Sequence, residues 1–179
     1  MSLEKMHPVL REQFFEQLYA ESIVDSSEKM LAYKDYAMAI NAEIPVSCYT
    51  NFRDALFHFR KVVSSVEETE IERQSFAVKE HLSRALTDAS SSILHHLACV
   101  SESLLEDVNL SKEIKEEIRK YLHSMKNANL RKRLSGMMIS NDNVINISHD
   151  EIIKMIDDFY NLLNDECPEK FAEYANTPK

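Results

Sequence analysis

The fold is decided by residues 69–106, TEIERQSFAVKEHLSRALTDASSSILHHLACVSESLLE, which contain neither proline nor glycine. Apolar residues recur in this stretch every three or four positions, which places them on one face of an α-helix. They are Val78, Leu82, Ala85, Leu86, Ala89, Ile93, Leu97, Val100 and Leu104. At ~1.5 Å per residue this helix would reach ~55 Å, which is longer than one compact domain needs.

Outside this stretch the composition also predicts helices. The whole chain holds one glycine, Gly136, and four prolines, whereas sheet proteins need both residue types for their many tight turns. We therefore predict an all-α bundle of about six helices, with a central antiparallel hairpin of the third and fourth helices. A single domain is expected over residues 1–179, with residues 1–6 and 176–179 frayed.

Helix boundaries are predicted from capping chemistry. The sequences Asp25-Ser-Ser-Glu28 and Ser148-His-Asp-Glu151 fit capping boxes that open the second and sixth helices. Ser111 is expected to cap the fifth helix, and Pro45 to separate the second from the third. Residues 135–147 are predicted to form a loop.

The third helix is expected to bury an apolar stripe with helical spacing. Its members are Phe52, Leu56, Phe59, Val63 and Val66. The predicted stripe of the second helix is Met30, Tyr33, Ala37 and Ile40.

The cellular location of the protein is predicted from its hydropathy and its cysteines. No apolar stretch approaches the ~20 residues of a membrane span, and the N-terminus lacks the hydrophobic segment of a signal peptide. Cys48, Cys99 and Cys167 are odd in number and lack CxxC spacing, which favours reduced thiols in the cytoplasm. Cys99 is expected to be buried and inert.

Charge is unevenly distributed along the chain. The net charge of −9 opposes a general coat of nucleic acid or anionic membrane. Residues 119–133, however, hold six basic side chains and no acid. Arg131 and Arg133 in this segment are candidates for binding phosphate. Alternatively, the segment complements the dipole at a helix C-terminus.

A short motif lies in the third helix, where residues 51–58 read NFRDALFH. Arg53, followed by Asp54 and then His58, resembles the Arg-x4-6-His motif of HEPN domains, which are small helical bundles. Many HEPN proteins are metal-independent ribonucleases of toxin and antiphage systems. The resemblance implies that His58 acts as general acid or base, that Arg53 holds the scissile phosphate and that Asp54 orients the pair.

The helical geometry also allows a second interpretation of this motif. Arg53 and His58 lie roughly 140° apart around their helix, so they would meet only across a dimer seam or a local bend. The alternative is a surface arginine and a histidine at the edge of the core.

A wider resemblance covers about residues 50–90. The helices with the patterns RDALxH and EHLxRAxxDA are similar to helical proteins of bacteria and archaea to which no activity is assigned. This resemblance implies two paired helices and no particular chemistry.

The fourth helix carries a group of polar side chains within a wedge of about 60°. They are His81, Arg84, Asp88 and His95. In an antiparallel hairpin this wedge would form a groove with Arg53 and His58. The alternative is a surface network of salt bridges.

No metal or cofactor is predicted. His95 and His96 are adjacent and therefore point in different directions, and the chain has no HExxH element and no pair of Glu-x-x-His elements. A chain with a single glycine also cannot form a glycine-rich loop that binds phosphate.

The sequence is compatible with two functions. The first is a non-catalytic interaction or regulatory module that binds a protein partner or itself. The second is an RNA- or nucleotide-binding protein of HEPN type, including a metal-independent ribonuclease. A homodimer is expected from four apolar side chains predicted to be exposed, which are Phe14, Phe15, Met30 and Met38.

Overall fold

The computed structural model describes residues 8–136 and 147–176, with side chains at 12–128 and 147–173. The described residues are mostly helical and contain no strand, so the predicted all-α class is confirmed. The elements are α1 (Pro8–Leu18), a π-helical segment (Tyr19–Val24), α2 (Asp25–Ala39), α3 (Val46–Ser64), α4 (Glu68–Glu106), α5 (Lys112–Gly136), α6 (His149–Glu166) and α7 (Pro168–Asn176).

The chain divides into two compact units. Unit 1 comprises Met1–Met30 and Pro45–Asp88, and unit 2 comprises Leu31–Ile44 and Ala89–Lys179. Helices α2 and α4 therefore each contribute to both units. This sharing explains why α4 is longer than one compact core needs. The expectation of a single domain stays a prediction.

Unit 1 is built on the predicted hairpin of α3 and α4. Asn51 of α3 contacts His81, whereas His58, about two turns later in α3, contacts the earlier Gln74 of α4. The two helices therefore run antiparallel. The buried apolar core of this unit comprises Leu18, Ile23, Ala55, Val62, Ile71, Val78 and Leu82.

The buried face of α3 differs from the prediction. Its fully buried residues are Cys48, Ala55 and Val62. Phe52 and Phe59 pack partly against the same core. Leu56, Val63 and Val66 are exposed, so the predicted stripe was wrong for these three residues. The apolar stripes of α2 and α4 are confirmed, since all their predicted members are buried except the half-buried Met30.

The expected capping box at Asp25-Ser-Ser-Glu28 is wrong. The π-helical segment joins α1 to α2 without a break, and Asp25 has the helical angles φ −55° and ψ −45°. The carboxylate of Asp25 instead pairs with Lys29 one turn later, at 2.9 Å. A residue with helical neighbours on both sides leaves no free amides for a cap to satisfy.

Unit 2 contains the confirmed caps. The Ser148 hydroxyl accepts from the amide of Glu151 at 3.1 Å, and the Glu151 carboxylate accepts from the amide of Ser148. Ser111 likewise accepts from the amide of Ile114 in α5. The apolar face of α6 is buried, and the hydroxyl of Tyr33 lies 2.8 Å from Nδ1 of His149 at the start of α6.

Two further observations concern the described part of the chain. None of its helices combines the length and the apolar character that crossing a membrane requires. Phe14 and Phe15, expected to be exposed, are half-buried against the core of unit 1, whereas Met38 is exposed. The first two residues of the predicted loop belong to α5, and Asn176, expected to be frayed, is the last residue of α7. Residues 137–146, 1–6 and 177–179 lie outside the described residues.

Candidate functional site

A polar network centred on Gln74 joins α4 to α3. Gln74 of α4 is fully buried, and its amide nitrogen donates to the carboxylate of Glu70 at 2.7 Å. This contact orients the amide, because a carboxylate oxygen only accepts. The amide oxygen of Gln74 therefore faces His58 and accepts from its Nδ1.

His81 lies directly beside His58. The two imidazole rings stack with centroids 5.1 Å apart and planes inclined by 15°. Nδ1 of His81 lies 3.0 Å from the amide oxygen of Asn51. An imidazole that donates from Nδ1 keeps Nε2 as its acceptor while it is neutral. The hairpin thus holds two adjacent groups that can accept a proton.

Glu70 connects this network to the surface. Arg73 donates to both carboxylate oxygens of Glu70, at 2.9 and 2.8 Å. The hydrogen bonds from Arg73, and then from Gln74, lower the pKa of Glu70 to about 2. The carboxylate consequently stays charged over a wide pH range and keeps Gln74 oriented.

The motif residues Arg53 and Asp54 are paired with each other. Nη2 of Arg53 lies 2.9 Å from Oδ1 of Asp54, and the arginine side chain is 74% exposed. The described contacts join Arg53 to Asp54, whereas His58 is joined to Gln74 and His81. Within one chain, the structure therefore places the two halves of the motif in separate contacts.

The polar wedge predicted on α4 also resolves into separate contacts. Arg84 pairs with Glu80 on its own helix, and Asp88 accepts from the hydroxyl of Ser47 at 2.7 Å. His95 belongs to unit 2, where its Nε2 lies 3.9 Å from the sulfur of Cys99. Cys99 itself is half-buried and not fully buried as predicted.

The basic segment 119–133 is described in part. Lys126 pairs with Glu102 of α4 at 2.6 Å, so its charge is already balanced by a carboxylate. Lys120 lines a surface depression of about 330 Å³ together with Glu117, Tyr121 and Ser124. The side chains of Arg131 and Arg133 lie outside the described residues.

The outer face of α3 is a second candidate site. Five residues with 4-3-4-3 spacing lie on this face, and all are exposed. We call Tyr49, Arg53, Leu56, Arg60 and Val63 the α3 stripe. Its apolar members are 45–51% exposed, although such side chains are ordinarily covered when they recur at this spacing.

Asn51 and Gln74, which hold the two imidazoles, were not among the predicted site residues. One signal could have found Gln74. It lies between Ile71 and Val78 on the apolar stripe of α4, where a buried amide must have a partner. Asn51 has no comparable signal, because asparagine is common on exposed helix surfaces.

No metal site emerges from the described side chains, which include no group of three or more histidine, cysteine or acidic residues able to hold an ion. Unit 1 has a shallow cavity of about 190 Å³, lined by Glu21 and Ser22 of the π-helical segment and by Ser75 and Lys79 of α4. The chain matches no protein-family model, no curated protein and no solved structure.

Proposed function

We propose that this protein is a non-catalytic interaction module that binds an α-helix of a protein partner along the α3 stripe. The observation that supports the proposal is the exposure of Tyr49, Leu56 and Val63 at the spacing of a helix–helix seam. The core of unit 1 is formed by another face of α3, which carries Ala55 and Val62, so the apolar residues of the stripe lie outside that core.

The chemistry of the stripe defines the partner. Arg53 and Arg60 alternate with the apolar residues, so a complementary helix would present acidic side chains between apolar ones. Tyrosine and arginine are also the residue types that most often dominate binding energy in protein interfaces. The expected partner is therefore an amphipathic helix with an acidic and apolar seam.

A peptide titration tests this proposal. The probe is a synthetic helical peptide with leucine and glutamate alternating along one seam, and the control peptide carries lysine in place of glutamate. We expect the glutamate peptide to bind, and Leu56→Asp to raise its dissociation constant at least about tenfold. Val108→Asp is the matched control, because Val108 is 88% exposed and lies off the stripe. Equal binding of both peptides, or no effect of Leu56→Asp, would contradict the proposal.

A second function, RNA or nucleotide binding of HEPN type with metal-independent cleavage, is favoured by one specific observation. His58 and His81 stack in the hairpin, and two adjacent imidazoles are suited to acid–base catalysis on a ribose hydroxyl. In this alternative Arg53 and Asp54 of a second copy would complete the site, because Arg53 does not contact His58 in its own chain.

RNA cleavage in the presence of EDTA tests the second function. We expect cleavage by the wild type, and its loss in His58→Ala and in His81→Ala. His123→Ala, a change in an exposed histidine of α5, is the control. Equal rates in all four proteins, or no cleavage of any RNA, would remove the catalytic version.

A further inference from the structure

A second exposed stripe has the spacing of the α3 stripe and the opposite charge. It runs from the end of the π-helical segment along α2, and all five of its residues are exposed. We call Val24, Glu28, Leu31, Asp35 and Met38 the α2 stripe. It alternates apolar and acidic residues at 4-3-4-3 spacing, whereas the α3 stripe alternates apolar and basic residues at the same spacing.

The two stripes match position by position. In an antiparallel alignment the pairs are Val24 with Val63, Glu28 with Arg60, Leu31 with Leu56, Asp35 with Arg53 and Met38 with Tyr49. A parallel alignment also places each acid against an arginine. The α2 stripe is therefore the kind of helix face that the proposed function requires of a partner.

Each of the two stripes is exposed. Leu31 is 56% exposed and Met38 is 71% exposed, and Leu56 at the centre of the α3 stripe is 45% exposed. Each stripe therefore offers an uncovered face on which a helix of another molecule can pack.

The charges on the stripes determine which stripe of one copy can pack on which stripe of another copy. Two α3 stripes packed antiparallel would set Arg53 opposite Arg60, and two α2 stripes would set Glu28 opposite Asp35. Like charges facing each other across an interface disfavour association. Only the pairing of α2 with α3 alternates opposite charges along the whole seam.

The existing partner of Arg53 does not prevent this contact. Its ion pair with Asp54 is largely exposed, and exposed pairs contribute little. A guanidinium has five N–H donors and can bind a second carboxylate.

We propose that the α2 stripe of one copy packs on the α3 stripe of a second copy, so that the partner of this interaction module is the same chain. The inference rests on the proposed function. A seam of about four helical turns is small for a protein interface. The association is therefore micromolar, and it weakens as salt screens the charged pairs.

Charge reversal tests the pairing, with sedimentation velocity at ~5 to ~200 µM as the readout of self-association. One variant carries Arg53→Glu and Arg60→Glu, and the other carries Glu28→Arg and Asp35→Arg. Each variant alone is expected to raise the dissociation constant at least about tenfold, because like charges then face each other. An equimolar mixture of the two, and a chain with all four changes, are both expected to associate like the wild type.

The control is Lys154→Glu with Asp158→Lys, which reverses an exposed pair of α6 away from both stripes. Circular dichroism confirms that each variant is folded. The pairing is overturned by a wild type that stays monomeric, by association that ignores the reversals, or by failure of the mixture and of the fourfold variant to associate. A monomeric wild type that still binds the acidic probe peptide would overturn only this inference. Loss of both would overturn the proposed function as well.

Discussion

At the scale of residues, the clearest feature is the buried amide of Gln74, which orients the imidazole of His58. Gln74 is enclosed in the core of unit 1, and an enclosed polar group without a partner costs about 1–3 kcal/mol. Both ends of the amide are satisfied, one by Glu70 and the other by His58. The charged carboxylate determines which end of the amide faces the ring. The histidine tautomer is therefore set by a glutamate that does not touch it.

The tautomer of His58 is the first prediction. Neutral His58 should carry its proton on Nδ1, because the oxygen of Gln74 can only accept. Long-range ¹H–¹⁵N correlation spectra distinguish the two ring nitrogens. In Gln74→Leu the preference for Nδ1–H should be lost, whereas the exposed control Glu72→Gln should retain it. A wild-type spectrum with the proton on Nε2 would contradict this assignment.

The second prediction concerns pH and Glu70. The hydrogen bonds from Arg73 and Gln74 lower the pKa of Glu70 from 4.5 to about 2. A folded-state pKa below the unfolded value stabilises the fold at pH above the unfolded value, and this contribution is lost as pH falls through the folded value. The stability difference between wild type and Glu70→Gln should thus be full at neutral pH and shrink from about pH 4.5 to about pH 2.

Urea midpoints of both proteins across this range measure the effect. A difference that stays constant from neutral pH down to about pH 2 would show that the carboxylate is not held by these donors. Glu72→Gln, two residues away on the exposed face of α4, should show no such window.

At the scale of elements, capping signals are informative only where a helix really begins. Asp25-Ser-Ser-Glu28 and Ser148-His-Asp-Glu151 look equivalent in sequence. The second opens α6, whereas the first lies inside a continuous run from α1 through the π-helical segment to α2. Local sequence could not distinguish them, because packing of Leu18 and Ile23 in the core of unit 1 holds the two helices in line.

The third prediction follows from this contrast. Ser148→Ala should lower the free energy of unfolding by about 1 kcal/mol, because it removes the acceptor for the Glu151 amide. Asp25→Ala should cost less, about 0.3–0.5 kcal/mol, because it loses only the ion pair with Lys29 one turn away. Chemical denaturation of both variants measures these values. A larger loss for Asp25→Ala would restore the capping interpretation.

The sequence predicts a helix well when its apolar and polar residues lie on two clearly separate faces. Helix α4 has one dominant apolar stripe, and the predicted stripe residues from Val78 to Leu104 are all buried. Its boundaries were predicted to within one residue. Helix α3 is apolar on two faces, so periodicity could not decide between Ala55 and Leu56 as the residue facing the core. The second apolar face, which is not buried, is the one that forms the α3 stripe. The histidine pair depends on the register of α3 against α4, which no single helix encodes.

At the scale of the whole molecule, the two units are connected by shared helices. The division falls within α2 after Met30 and within α4 after Asp88, so neither helix belongs to one core alone. A helix segment that loses its packing partners is only marginally stable in water. Unfolding of one unit would therefore remove packing from helices that also stabilise the other.

The fourth prediction is that the two units unfold together. Leu82→Ala in unit 1 and Ile156→Ala in unit 2 each truncate a buried side chain, at an expected cost of about 2–5 kcal/mol. Hydrogen exchange in increasing urea reports unit 1 through peptides of α3 and unit 2 through peptides of α6. Either substitution should lower the midpoint of both sets of peptides by the same amount, because α2 and α4 transmit the loss. If Leu82→Ala lowered the midpoint of α3 alone, the units would be separate cooperative blocks, and the single-domain prediction would be wrong.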